Sequence, residues 1–139
     1  MLMFHGSVIG MHPQLNYWYP PNVLTSFFYK EIKTQSWLDI SRDPKTKIFL
    51  DSGAYTIVRE KHPTVEELHK FVLKYRDFIV ENYKYIYCFA ELDVEQNYSQ
   101  KQVDYWFDLL SEADPQGKII RVWHPNHSLK RWREYVESD

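Results

Sequence analysis

Carboxylates and one guanidinium recur where short apolar runs end. Asp51 closes KIFLD and opens the stretch Asp51-Ser52-Gly53-Ala54, Glu91 and Asp93 close YIYCFAELD, and Arg121 lies beside Trp123 in KIIRVW. Carboxylates gathered in one place perform general acid–base and nucleophilic chemistry, and they accept hydrogen bonds from paired ligand N–H donors. Each also has a plainer role. Asp before Ser-Gly is ordinary turn chemistry, and Glu91 is expected to form a partly buried ion pair with Arg121. As a group, three acids and one base on one rim carry a desolvation cost that a ligand offsets, and that makes the group the candidate site. A second chemistry, metal-dependent hydrolysis, would use His5, His12, His124 or His127 with Asp51 and Asp93. The six histidines have no zinc-type spacing, however, and His124 and His127 read more simply as solvated loop residues.

The elements that must position these residues follow from hydrophobic period. From residue 47 onward, short apolar runs alternate with amphipathic stretches, the order of βα units on a parallel sheet. Strands are expected at 47–50, 85–92 and 118–123, with an earlier one at 23–29. Thr64 followed by Glu67 is a capping-box pattern, and Val65, Leu68, Phe71, Val72, Tyr75, Phe78 and Ile79 recur at helical spacing behind it. Ser99 with Gln102 repeats the pattern ahead of Val103, Trp106, Phe107 and Leu110. Ser128 caps a last helix with Leu129, Trp132, Tyr135 and Val136 on one side, and Lys130, Arg131 and Arg133 are read as its solvated face. Strand alternation puts Ile86, Cys88, Ala90, Leu92, Ile120 and Val122 under the helices. Phe49, Asp51, Tyr87, Phe89, Glu91, Asp93, Ile119, Arg121 and Trp123 then point to the other side. The inner rim therefore holds Asp51, Glu91, Asp93, Arg121 and Trp123 at the C-terminal ends of adjacent strands, where α/β folds keep their active sites.

Composition narrows the class. The 139 residues carry a formal net charge of −2, so there is no global basic field to hold nucleic acid non-specifically. With 44% hydrophobic and 17% aromatic residues the chain is far from the signature of disorder. The single Cys88 excludes an internal disulfide and a multi-cysteine zinc site, reads as a small core residue, and suits a reducing compartment. No apolar run approaches the ~20 residues of a membrane span, and the first residues lack the pattern of a signal peptide. A cytoplasmic chain forming one domain over residues 1–139 is expected, with 1–22, including the aromatic run at 17–19, as an irregular N-terminal cap. Residues 4–9 are a further candidate strand within it.

The run Leu50-Asp51-Ser52-Gly53-Ala54-Tyr55 resembles the Asp-Ser-Gly-Gly-(Phe/Tyr)-Gln motif of tRNA-guanine transglycosylases. It is closer still to the Asp-Ser-Gly-Ala-Phe form of short phage-type relatives that modify DNA or tRNA with deazaguanines. Phe89-Ala90-Glu91-Leu92-Asp93 is similar to the family's following strand with its base-recognising Asp, and Arg121-Val122-Trp123-His124 falls where the family has a strand ending in a base-binding Gln. The resemblance covers roughly residues 23 to 137. It implies a parallel (β/α) barrel of TIM type, of which this chain supplies about the first half, and exchange of guanine for a deazaguanine base in tRNA or DNA, with no cofactor.

On that resemblance Asp51 matches the family's general acid/base position, Ser52 and Gly53 the adjacent substrate loop, and Asp93 the acceptor for the guanine edge. Glu91, Arg121 and Trp123 complete the substrate-binding set, and Tyr55 or Trp123 stacks on the base. The chain also departs from the family pattern. Ala54 replaces the second Gly, Thr56 replaces Gln, and Trp123-His124 stand where Gln is expected. The family's nucleophilic Asp lies on a late strand, and a closed barrel takes ~250 residues. Nucleic acid, a guanine-type base, and either a second copy or a C-terminal half are thus the expected partners, with no membrane. The alternative outside catalysis is an interaction module built on half a barrel, with Trp18, Tyr19, Tyr55 and Trp123 as contact residues.

Overall fold

Residues 3–4, 21–28, 45–124 and 128–137 are described by the computed structural model. Four strands, β1 (Asn22–Ser26), β2 (Lys47–Asp51), β3 (Ile86–Ala90) and β4 (Ile119–Ile120), form one sheet in the order β1-β2-β3-β4, every neighbouring pair parallel. Sequence position and spatial position thus agree, as the βα reading predicts. The expected strands at 85–92 and 118–123 are shorter than anticipated because their C-terminal residues leave the ladder to build the rim. The expected strand at 23–29 ends at Ser26.

Four helices accompany the sheet: α1 (Ala54–Lys61), α2 (Val65–Asn82), α3 (Gln100–Ser111) and α4 (Leu129–Val136). Val23, Ile48, Leu50, Ile86 and Phe89 of the strands pack against Leu68, Val72, Tyr75 and Ile79 of α2 and against Val103, Trp106 and Leu110 of α3 in one core. The capping box that opens α2 is complete. Thr64 Oγ1 accepts from the Glu67 N–H at 3.2 Å, and Glu67 Oε2 accepts from the Thr64 N–H at 2.8 Å. Ser128 caps α4 by accepting from the Arg131 N–H at 3.2 Å, whereas Ser99 sits at the N-cap of α3 without a side-chain bond.

Alternation alone misplaces one strand. β3 pairs Ile86 with Ile48 but Cys88 with Phe49 and Phe89 with Leu50, so Tyr87 is an extra residue in β3. A one-residue slip exchanges the two faces for everything downstream. Phe89 therefore enters the helix-covered core with Leu50, and Cys88 shares the opposite face with Phe49. The next pairing carries the exchange across to β4, where Ile119 aligns with Phe89 and packs on the core while Ile120 aligns with Ala90 and is exposed. Cys88, Ala90 and Ile120 thus leave the helix side assigned to them by period, and Phe89 and Ile119 join it.

Two further expectations change. The side chain of Arg131 is not simply solvated: it holds Glu95 at 3.2 Å and Asp104 at 3.5 Å, tying α4 to the loop after β3 and to α3. The apolar residues Leu129, Trp132 and Val136 of α4 are exposed. Of the expected N-terminal cap, residues 1–2 and 5–20, with most of the candidate strand at 4–9 and with Trp18 and Tyr19, lie outside the described residues; Asn22 opens β1, and the ring of Phe4 meets Phe49 edge-on at 5.6 Å.

Helix α1 has no counterpart in the sequence pattern, because its start carries no capping side chain; it begins at Gly53, which holds φ +72°. A Cβ there would lie 2.4 Å from Ser26 Oγ and 2.5 Å from Phe28 Cβ. Gly53→Ala combines left-handed strain with this overlap, and is expected to lower stability by about 2–5 kcal/mol in urea titration. An unchanged midpoint would show that the turn relaxes freely.

Candidate functional site

The first carboxylate is positioned by a turn made from its own neighbours. Asp51 is the last residue of β2, and its Oδ2 accepts from the Gly53 N–H at 3.1 Å. Short polar side chains bond backbone two residues on in this way, which is why Asp and Ser suit the position. Ser52 does the same, accepting from the Ala54 N–H at 3.3 Å, and its hydroxyl also donates to the Glu91 carbonyl at 3.4 Å. The turn after β2 is thereby joined to the end of β3.

Beneath this turn the Tyr75 hydroxyl, fully buried on α2, lies 3.2 Å from the Leu50 carbonyl and 3.0 Å from the Ala90 carbonyl. Those carbonyls immediately precede Asp51 and Glu91. One phenol from a helix thus holds the ends of both strands, a role that reading Tyr75 as a core aromatic misses. Its spacing places it on the buried face, but only the fold shows which carbonyls it meets.

Burial raises the Asp51 carboxyl above its ordinary range, and the nearby charge of Asp93 pushes in the same direction. The hydroxyl of Ser26, paired with Asp51 across β1 and β2, and the Gly53 N–H oppose the shift. Asp93 itself is partly exposed, with Oδ1 2.8 Å from His124 Nε2. Asp51 thus ends β2, and Asp93 follows the end of the neighbouring β3, with Ser26 beside the first in register and His124 beside the second. Sequence reasoning reads His124 as a solvated loop residue, as a metal ligand, or as standing where the resemblance expects Gln, and it does not single out Ser26. The signal that would have found Ser26 is the in-register pairing of β1 with β2.

The other expected members of the rim take different places. Glu91 is 2% exposed, and its Oε1 accepts from the Val122 N–H at 2.7 Å while its own N–H donates to the Ile120 carbonyl. It secures the chain leaving β4. The expected ion pair with Arg121 is replaced by action at a distance: the guanidinium lies over the Phe107 ring of α3, 3.4 Å from its centroid, and its charge holds Glu91 down only partly. The residues after β4 carry the same exchange of faces as β3, and Arg121 accordingly meets a helix. Tyr55 is 57% exposed on the first turn of α1, and Trp123 is 39% exposed between Val122 and His124. Ser52 and Gly53 are buried, Ser52 tying the turn through its hydroxyl and Gly53 shaping it through its left-handed backbone.

Among the described residues no group of three His, Cys, Asp or Glu side chains is placed to hold a metal ion, and no helix is long and apolar enough to cross a membrane. His5, His12 and His127 lie outside them. The chain matches no known family profile, no characterised protein and no solved structure.

Desolvation raises the Glu91 carboxyl from its ordinary 4.5 to about 7. Between these values the folded protein keeps a proton that the unfolded chain has lost, so this contribution is full below pH 4.5 and disappears as pH rises through 7. The loss amounts to roughly 3 kcal/mol, and Asp51 adds to it with the same sign. Glu67 and Asp114, held below their ordinary values of 4.5 and 3.8, act oppositely and only in more acid solution. Glu91→Gln keeps an acceptor for Val122 and is expected to flatten the profile between pH 5 and 7, as followed by urea denaturation at a series of pH values. A variant that keeps the wild-type slope would show that another group carries it.

Proposed function

We propose that this chain is the first part of a (β/α) barrel of the transglycosylase type, and that Asp51 and Asp93 hold a guanine or deazaguanine base during its exchange into tRNA or DNA. The observation behind the reading is that Asp51 ends β2 and Asp93 follows the end of the neighbouring β3, its charge acting to raise the Asp51 carboxyl, beside the Asp-Ser-Gly turn. The unreversed strand order supports a barrel over a doubly wound sheet, in which the order reverses at the ligand crevice.

In this reading Asp93 accepts from the N1–H and exocyclic amine of guanine, two donors that adenine does not present side by side. His124 sets the orientation of the Asp93 carboxylate. Asp51, whose proton affinity is raised by burial and by Asp93, gives a proton to the departing base as the glycosidic bond breaks, and takes one back from the incoming base. Tyr55 or Trp123, both exposed, covers the face of the base. The nucleophile that holds the ribose belongs to a later strand. Glu91 and Arg121 are supports of the rim in this scheme.

Asp93→Asn turns half of the acceptor into a donor, and is expected to weaken guanine binding by roughly 1–3 kcal/mol with little effect on adenine. Asp51→Asn keeps most of the binding and removes exchange of labelled guanine by the assembled enzyme. Calorimetric titration of guanine, the deazaguanine preQ1 and adenine into wild type and both variants checks this. Equal affinity for guanine and adenine, or indifference to Asp93→Asn, would remove the support for the reading and favour an interaction module.

A further inference from the structure

At the edge of the sheet opposite the candidate site, where the strands begin, lies a second cleft of about 570 Å³. The described residues lining it include three lysines, Lys47, Lys84 and Lys118, and no carboxylate. In a chain whose net charge is −2, this is a local concentration of positive charge. Each lysine lies over a tyrosine ring: Lys47 Nζ is 4.5 Å from the centroid of Tyr87, Lys84 Nζ 4.7 Å from that of Tyr85, and Lys118 Nζ 3.9 Å from that of Tyr83. Lys118 is also a structural anchor, donating to the Tyr83 and Ile86 carbonyls at 2.8 and 2.9 Å. Tyr85 and Tyr87 nevertheless remain 38% and 44% exposed.

Tyr85 and Tyr87 thus present partly exposed rings and Lys47 and Lys84 their ammonium groups at the mouth of one cleft. Ammonium groups alternating with exposed rings suit a ligand that alternates phosphate charge with flat bases, and single-stranded nucleic acid is that ligand; the bases of a duplex are already stacked on each other. We infer that the lysine–tyrosine cleft at the N-terminal ends of the strands binds single-stranded nucleic acid, with Lys47 and Lys84 on phosphates and Tyr85 as the principal stacking platform. The assignment is independent of the base-exchange reading, because it uses the opposite end of the sheet and no guanine-specific group.

Fluorescence anisotropy of a short labelled oligothymidylate across a salt series tests it, since that strand contains no guanine. Wild type is expected to bind at low salt. Lys47→Gln/Lys84→Gln lowers the slope of log affinity against log salt by about 1.4, at about 0.7 per phosphate contact. Tyr85→Ala lowers affinity roughly five- to 150-fold and leaves the slope unchanged. The α4 surface change Lys130→Gln, away from the cleft, leaves binding unaltered. Thermal melting confirms that each variant folds, and the exposed Lys84→Gln alone, expected to change the slope by about 0.7, carries the test if the double change does not fold. Absence of binding at low salt, an unchanged slope, or equally tight binding of polyglutamate would each overturn the assignment.

Discussion

The site depends on one buried hydroxyl: the carbonyls of Leu50 in β2 and of Ala90 at the end of β3 lie inside the protein, where a buried carbonyl needs a donor, and both meet Tyr75. Tyr75 supplies one proton to both, from a helix that also packs its ring against Phe27 and the rest of the core. The residues that follow these carbonyls, Asp51 and Glu91, are then spaced by the same hydroxyl. Ser52 adds a second tie by donating to the Glu91 carbonyl. Displacing α2 would therefore move both carboxylates, although α2 contributes none of its own.

Within that frame the three acids divide by environment. Glu91 is enclosed, bonded to a backbone N–H and carried toward neutrality by desolvation, so its main effect is on stability and on the path of the chain after β4. Asp51 is partly enclosed, and its proton affinity is set by competition between burial and donors from Ser26 and Gly53. Asp93 is the most open, with His124 beside it. An enclosed, a partly enclosed and an open acid thus arise from one residue class, because the rim passes from dry to wet over a few residues. The sheet also separates its two ends chemically, with interacting acids where the strands finish and lysine–tyrosine pairs where they start.

Much of this was legible in order and period. The βα rhythm from residue 47, the Thr64–Glu67 capping box, the Ser128 cap and the apolar spacing of α2 and α3 are local signals, and local signals survive into the structure. That Asp51 ends β2 and Asp93 follows β3 was legible as well, since both positions depend only on where the apolar runs stop. Helix α1 was not, because Gly53 starts it by adopting a left-handed conformation that leaves no mark except the glycine itself.

What the sequence by itself determined is therefore the α/β class and the parallel order of the strands from residue 47 onward, both of which rest on patterns within a few residues. Only the tertiary structure decided which face each side chain takes. The extra residue Tyr87 shifts the register of β3 on β2, and a period of two has no memory of its phase across such a shift. Phe89 and Ile119 go inward, Cys88 and Ile120 go to the other side, and Arg121 meets Phe107 instead of Glu91. The pairing of Ser26 with Asp51 and the reach of Tyr75 to two carbonyls are likewise contacts between distant segments, set by packing and not by spacing along the chain.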